Sequence, residues 1–342
     1  MTITKLQPTN LYATTKIFYS CSIMTIVTLG PVDINVLKNL EKGITADNPE
    51  HYCRQAKYAS EQLPIHITLK LKDFSKRGSS TGFLLFYNLP KERLLKTPNA
   101  NTGKIGENTI LSRIQSILVS AIGDMIAYEA EGYGRLFQEI VPIQTMSKNQ
   151  TSLSSDIELE IHTEQAFSQL RPDILSLACL RGDENAYTYI LPVQRIIENC
   201  SPHELKLLRE PLWMIGVDLS FKLHGKPFID GDVRGPIPIL SGPDEDPNLV
   251  FDQDLMKGIT PEAENLVKKI VTIYYTHRIA HCLQPGEVIF VDNRRAVHGR
   301  SAFTPKYDGY DRFLVRCFAT LDYEKSAHAR VNSERTISAI YS

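Results

Sequence analysis

The sequence holds little that would mark a specialised chain. Of 342 residues only one is tryptophan and six are cysteine, at positions 21, 53, 179, 200, 282 and 317. No two of these cysteines form a CxxC pair, so a zinc ribbon or a thioredoxin-like redox site has no support, and scattered reduced thiols point to a cytoplasmic chain. An excess of charge of either sign is also missing. Thirty-eight basic residues against thirty-nine acidic ones leave a net charge of -1. That excludes a broad electrostatic case for nucleic acid or an anionic membrane surface. No apolar run approaches the ~18 residues of a membrane span. The stretch from Lys16 through Ile23–Leu29 is mildly apolar behind a basic residue, but Ser20, Ser22 and Thr25 break it and no small-x-small cleavage site precedes Pro31. Internal repeats, low-complexity tracts, GxGxxG, P-loop and G-x-S-x-G motifs are all missing, which removes dinucleotide, nucleotide-triphosphate and serine-hydrolase readings.

What remains is a globular composition, 42% hydrophobic and 23% charged, long enough for one large domain. Residues 1–30 read as an N-terminal tail or first strand, and 31–342 as a single domain. Helical periodicity is present near 33–42, near 49–61 and from about Ile110 to Ala130. Ile65–Leu71 alternates around β-branched residues and predicts a strand. Further strands are predicted at 82–87, 136–142, 157–162, 174–180, 186–191, 214–221, 286–291 and 312–321. Ser201-Pro202-His203-Glu204 is a capping box with proline at the first helical position. Thr260-Pro261-Glu262 opens a helix expected to run to about Leu283. Many short strands and few helices predict a mainly β sandwich or barrel with flanking helices, not a doubly wound sheet.

Two segments carry chemistry. In Leu159-Glu160-Ile161-His162-Thr163-Glu164, His162 and Glu164 stand two apart, and on a strand they project to one face. An imidazole and a carboxylate joined by a remote histidine make the facial triad of non-haem iron(II) oxygenases, which leaves metal positions open for a co-substrate and dioxygen. The remote histidine is His298, which follows an apolar strand and a polar turn. Arg312 lies 14 residues after His298 and opens an alternating strand. A hairpin of that length can return it beside the histidine, where a guanidinium can grip a dicarboxylate. His277 and His281 are four apart but lack the adjacent glutamate of a metallopeptidase.

With these pieces in place the chain resembles the clavaminate synthase-like branch of iron(II)/2-oxoglutarate dioxygenases, and within it the enzymes that hydroxylate free amino acids. The matching segments are Phe137–Pro142, Leu159–Glu164, Arg171-Pro172-Asp173, Cys179–Asp183 and Val297–Arg316. The resemblance implies a double-stranded β-helix, or jelly roll, and Fe(II) held by His162, Glu164 and His298, with 2-oxoglutarate and dioxygen as co-substrates. It puts Arg312 and Thr188 on the distal carboxylate of 2-oxoglutarate, Arg316 on the α-carboxylate of an amino-acid substrate, and Gln138 near its head group beside Glu164. One of Ser152, Ser154 and Ser155 is a further contributor, the three standing as alternatives. The D-x-D pair Asp252 and Asp254 falls where the branch places the acid that receives the substrate's side chain. A buried ammonium or guanidinium needs such a partner, so a small-molecule basic amino acid is expected. L-Lysine at C4 is the first choice and L-arginine at C3 the alternative; desaturation, ring formation and a non-catalytic metal-binding jelly roll also stand as alternatives. The glycine- and proline-rich segment 213–239 reads as a lid.

Overall fold

The structure is a computed structural model that describes residues 25–91, 93, 96–218, 221, 232–331, 333–341. The part of the expected N-terminal tail or first strand before Thr25, and the middle of the expected lid, lie outside the described residues.

Three helices, α1 (Pro31–Leu40), α2 (Pro49–Ser60) and α3 (Ile65–Arg77), precede the first long strand. The Ile65–Leu71 segment is therefore helix, not strand. Pro64 supplies the N-cap position, and Ile67, Leu71 and Phe74 form the buried stripe. That i, i+4, i+7 spacing outweighs the β-branched alternation, because the segment packs on a helix rather than on a sheet. That partner is α4 (Ile110–Ile122), capped by Thr109 Oγ1, which accepts from Ser112 N at 3.2 Å. The expected continuation of α4 to Ala130 is not observed: the helix stops at Gly123, and Asp124–Tyr128 forms a strand.

The strands in chain order are β1 (Ile26–Val27), β2 (Phe83–Phe86), β3 (Asp124–Tyr128), β4 (Phe137–Ile140), β5 (Leu159–His162), β6 (Ile174–Arg181) and β7 (Tyr187–Pro192). They continue with β8 (Trp213–Gly216), β9 (Val233–Ile237), β10 (Leu240–Ser241), β11 (Asn248–Leu249), β12 (Met256–Gly258) and β13 (Ile279–Cys282). The last four are β14 (Val288–Asp292), β15 (Ala296–Arg300), β16 (Phe313–Thr320) and β17 (Thr336–Ile337). Eight strands make the larger sheet, in the order β1-β2-β14-β6-β16-β3-β17 with β4 also paired to β16. The facing sheet runs β13-β7-β15-β5, antiparallel throughout. This pair of sheets with flanking helices is the double-stranded β-helix. The expected helix from Thr260 ends at His277, where Arg278 turns extended, and Ile279–Cys282 becomes an edge strand. His277 and His281 thus sit on different elements, and the helical metal-ligand spacing does not exist.

Period-2 alternation sorts the larger sheet into two faces. Leu84, Phe86, Val288, Phe290, Phe313, Val315 and Cys317 pack outward with α1–α4, while Phe83, Leu85, Ile289, Val291, Leu314 and Phe318 pack inward toward the smaller sheet. The outer helices thus give the larger sheet a second apolar face, so its strands read as continuous apolar runs. On β16 the inward set therefore includes Arg316 together with Leu314 and Phe318, and Arg312, directly before the strand, lines the same cavity as Leu314 and Arg316. Two buried arginines on the core side need a reason, and that reason is the site.

Candidate active site

The smaller sheet presents the two histidines. His298 in β15 and His162 in β5 are direct antiparallel partners, and their ring centroids lie 4.5 Å apart. Gly299 makes this close approach feasible, since an added Cβ would sit 2.7 Å from the Leu159 carbonyl. Glu164 follows β5 and completes the group: one ligand atom from each of His162, Glu164 and His298 lies within 4.8 Å of the others. His298 Nε2 is 3.6 Å from Glu164 Oε2. The His162 Nδ1 is hydrogen-bonded at 2.8 Å with the Glu160 carbonyl, which leaves Nε2 free to face the cluster. Asn293 holds the Glu164 backbone, accepting its N–H at 2.7 Å and donating back to its carbonyl at 3.1 Å. Burial and the neighbouring His162 lower the His298 pKa, favouring the neutral ring a metal requires.

Two cavities meet at this cluster. The smaller, about 50 Å³, is lined by Thr188, His298, Arg300, Arg312, Leu177 and Leu314 among others. Arg312 is 5% exposed and pairs with no carboxylate among the described residues. Thr188 Oγ1 is buried without a hydrogen-bond partner. Arg300, also buried, spends its guanidinium on the Ser154 carbonyl and hydroxyl and on the Ile157 carbonyl. A buried cation beside an orphaned hydroxyl fits a carboxylate ligand, because such a charge is costly without a counter-ion. Arg312 and Thr188 thus come together as expected from sequence.

The larger cavity, about 430 Å³, opens from the other side of His162 and Glu164. Gln138, Ser152, Asp252, Asp254 and Arg316 line it, so all the expected substrate residues gather here. Of the three candidate serines only Ser152 reaches the cavity; Ser154 is taken up by Arg300, and Ser155 donates to Asp156. Arg316 Nε donates to Gln138 Oε1 at 3.0 Å and Nη1 to Glu164 Oε1 at 3.3 Å. Its Nη2 also pairs with Glu131. Glu131 escaped the sequence reading, as did Asp218 and Glu160, which line the same cavity. Glu131 precedes a Gly132-Tyr133-Gly134 turn and belongs to no motif; only the fold brings it to Arg316. Gly132 has φ +57 and presses directly on the Gln138 side chain, where no Cβ would fit.

Charge in this cavity is unbalanced. Burial works against the ionised forms of Glu131 and Glu164, and one guanidinium cannot neutralise both. Arg316 and the two histidines hold Glu164 low against its burial, and burial raises Glu131 to about 7 despite Arg316. Asp252 is likewise pushed up to about 7, by burial first, with Asp218 and Asp254 adding to it and His162 and the Leu255 N–H opposing. Asp252 Oδ1 accepts from Asp254 N at 3.0 Å and Leu255 N at 2.8 Å, so its side chain is fixed in place. Asp254 lies exposed at the cavity rim. Gln138 Nε2 has no partner. Six carboxylates, Glu131, Glu160, Glu164, Asp218, Asp252 and Asp254, thus line the cavity against two cations, Lys148 and Arg316.

Comparisons with known proteins agree with this geometry. Residues 239–318 match the family model described as "Taurine catabolism dioxygenase TauD, TfdA family". The chain is 48% identical over 292 residues to an L-lysine 3-hydroxylase of Catenulispora acidiphila, covering 85% of this chain and 82% of that one. It is 30% identical over 279 residues to an L-asparagine oxygenase of Streptomyces coelicolor, covering 80% of this chain and 82% of the relative. Among solved structures, an asparagine oxygenase in complex with Fe(II), 2S,3S-3-hydroxyasparagine and succinate superposes with a TM-score of 0.85 at 28% identity, covering 92% of this chain and 99% of that chain. No helix of the described residues is long and apolar enough to cross a membrane. A relative at near 50% identity over most of both chains, with the fold and the His-Glu-His cluster described above, leads to one conclusion: the chain belongs to the iron(II)- and 2-oxoglutarate-dependent amino-acid hydroxylases of the TauD/TfdA type, and it is an enzyme that uses both.

Proposed function

We propose that this enzyme hydroxylates free L-lysine at C3. The observation that carries the substrate is the excess of acids lining the larger cavity, six carboxylates against Lys148 and Arg316, with Glu131 beside Arg316 and Asp252 on a separate segment. A molecule with an ammonium at each end and a carboxylate near the first supplies what is missing, and lysine is such a molecule. In this reading Arg316 receives the α-carboxylate, Glu131 and Gln138 the α-ammonium, and Asp252 with Asp254 the side-chain ammonium. The 48% identity to a lysine 3-hydroxylase supports the same substrate. The sequence reading favoured C4; the position C3 is preferred here because that relative and the 3-hydroxyasparagine bound in the similar structure agree on the carbon next to Cα. L-Arginine is the second reading, since two acids can also serve a guanidinium fork.

His162, Glu164 and His298 would hold the iron, and Arg312 with Thr188 the far carboxylate of 2-oxoglutarate. When bound, the iron and 2-oxoglutarate supply an oxidant for an unactivated C–H bond, with succinate and carbon dioxide leaving. The chain's own residues do the selecting. Arg316 links the two cavities, because it contacts Glu164 on one side and the Glu131–Gln138 head-group site on the other. A substrate anchored through it is held against the triad at a fixed distance, and positioning of this kind sets both rate and site of reaction. Asp252 orients the far end. Val217 and Asp218, which follow β8, line the cavity as well.

The test is anaerobically prepared Fe(II) protein given 2-oxoglutarate, dioxygen and each free L-amino acid in turn, with succinate, product mass and product NMR followed. One oxygen gained on lysine at C3 is expected. Hydroxylation of asparagine in preference to lysine and arginine would overturn the substrate; succinate formation with no amino-acid product would redirect it to peptide- or carrier-bound residues.

A further inference from the structure

The segment that carries Asp252 belongs to neither main sheet, yet it is fastened to the metal-ligand strand by a short ladder. Thr163 N donates to the Phe251 carbonyl at 2.7 Å, and Gln253 N donates to the Ile161 carbonyl at 3.0 Å. Between them His162 and Asp252 form an isolated antiparallel bridge. The Thr163 hydroxyl adds two side-chain bonds: it accepts from Phe251 N at 3.1 Å and donates to the Leu249 carbonyl at 3.4 Å. Thr163 and Phe251 are wholly buried. Thr163 stands between His162 and Glu164, so on an extended backbone its side chain points away from the face that carries them. It touches neither cavity.

We propose that Thr163 is a positioning residue whose hydroxyl sets the distance between the His-Glu-His cluster and the Asp252 carboxylate, and thereby which carbon of the substrate is hydroxylated. The inference rests on the reading that Asp252 receives the substrate's side-chain ammonium. A substrate tethered at both ends has its carbons placed by the spacing of the tethers. The head-group tether is Arg316 on β16. The far tether is Asp252, whose place relative to the cluster is set by the ladder onto β5. Loss of the hydroxyl leaves the buried Phe251 N–H without its side-chain acceptor, which the segment can relieve only by shifting. A shift of about 1 Å is comparable to the separation of neighbouring carbons and is enough to cost on the order of 100-fold in a positioned reaction.

Iron-loaded wild-type, Thr163→Val and Thr163→Ser proteins are compared for KM and kcat with lysine, for KM with 2-oxoglutarate, for the ratio of succinate to hydroxylated product, and for product regiochemistry by NMR. Thr163→Val is expected to raise the KM for lysine by about tenfold, the size of one lost buried hydrogen bond, and to give excess succinate or a second regioisomer. The KM for 2-oxoglutarate stays unchanged, and Thr163→Ser restores wild-type values. Unchanged lysine KM, coupling and regiochemistry in a folded Thr163→Val protein would overturn the proposal. Amide hydrogen exchange of the wild-type protein gives a second test that needs no variant: Phe251 and Gln253 should exchange slowly without substrate and equally slowly with lysine. Fast exchange in the substrate-free protein, slowed only by lysine, would show that the ladder is made by the substrate and would overturn the proposal as well. Wild-type turnover in the same series tests the substrate separately, because a preference for an uncharged amino acid would remove Asp252 from the far tether while leaving the exchange result to judge the ladder.

Discussion

The two cavities that meet at the His-Glu-His cluster are built differently. The smaller one is walled by β4, β5, β6, β7, β15 and β16; Thr188, His298, Arg300 and Arg316 stand on those strands, and Arg312 directly precedes β16. The larger one shares Glu164 and has Glu160 on β5, but takes its other acids from the turn at Glu131, from the segment around Asp252 and Asp254, and from Asp218 at the edge of the expected lid. Arg300 and Arg312 belong to the smaller cavity alone, Glu131, Asp218, Asp252 and Asp254 to the larger alone, and Arg316 and Glu164 to both. Strand-borne groups inherit the rigidity of paired backbones and suit a co-substrate common to a whole family. Loop-borne groups tolerate change without disturbing a sheet, and they suit the substrate in which family members differ.

This contrast can be broken most completely at the junction. His298→Ala removes a residue shared by the reaction of both cavities, and turnover should vanish while the circular dichroism spectrum keeps its β signature; chelation of the wild-type protein should do the same and Fe(II) should reverse it. Within the smaller cavity, Arg312→Met should raise the KM for 2-oxoglutarate by about 30-fold or more, as expected when one partner of a buried charge pair is truncated. The KM for lysine should change little. In the larger cavity the converse holds: Asp252→Asn should raise the KM for lysine by about tenfold and leave 2-oxoglutarate kinetics alone, and equal effects on both would mean that the cavities are not independent. The smallest effect is expected from Thr188→Val, about fivefold on the KM for 2-oxoglutarate, read from initial rates of succinate formation.

Legibility followed the same division. The strand-borne groups were readable because spacing in a strand is a statement about faces: His162 with Glu164, and Arg312 with Arg316, share sides by arithmetic alone. Asp252 was readable through its D-x-D pattern at a familiar place. Glu131 was not, since a glutamate before a glycine-rich turn carries no sign of what lies across the fold from it. The misread elements have a related cause. Ile65–Leu71 satisfies a strand template and a helix template at once, and its burial against α4 chose the helix. The helices begun at Ile110 and Pro261 were read too far because the strands that follow them are also apolar, and only sheet pairing, β3 to β16 and β13 to β7, separates the two.

By itself, then, the sequence determined the mainly β class, the separation of residues along each strand, the caps that start the helices, and the types of side chain offered for metal, co-substrate and substrate. Those are properties of local backbone geometry and side-chain chemistry. Only the tertiary structure decided that Arg316 faces two carboxylates, that Glu131 is one of them, and that the Asp252 segment is laced to the histidine strand. Each of these is a contact between residues far apart in the chain. Such contacts are fixed by how two sheets close on one another, which no local pattern encodes.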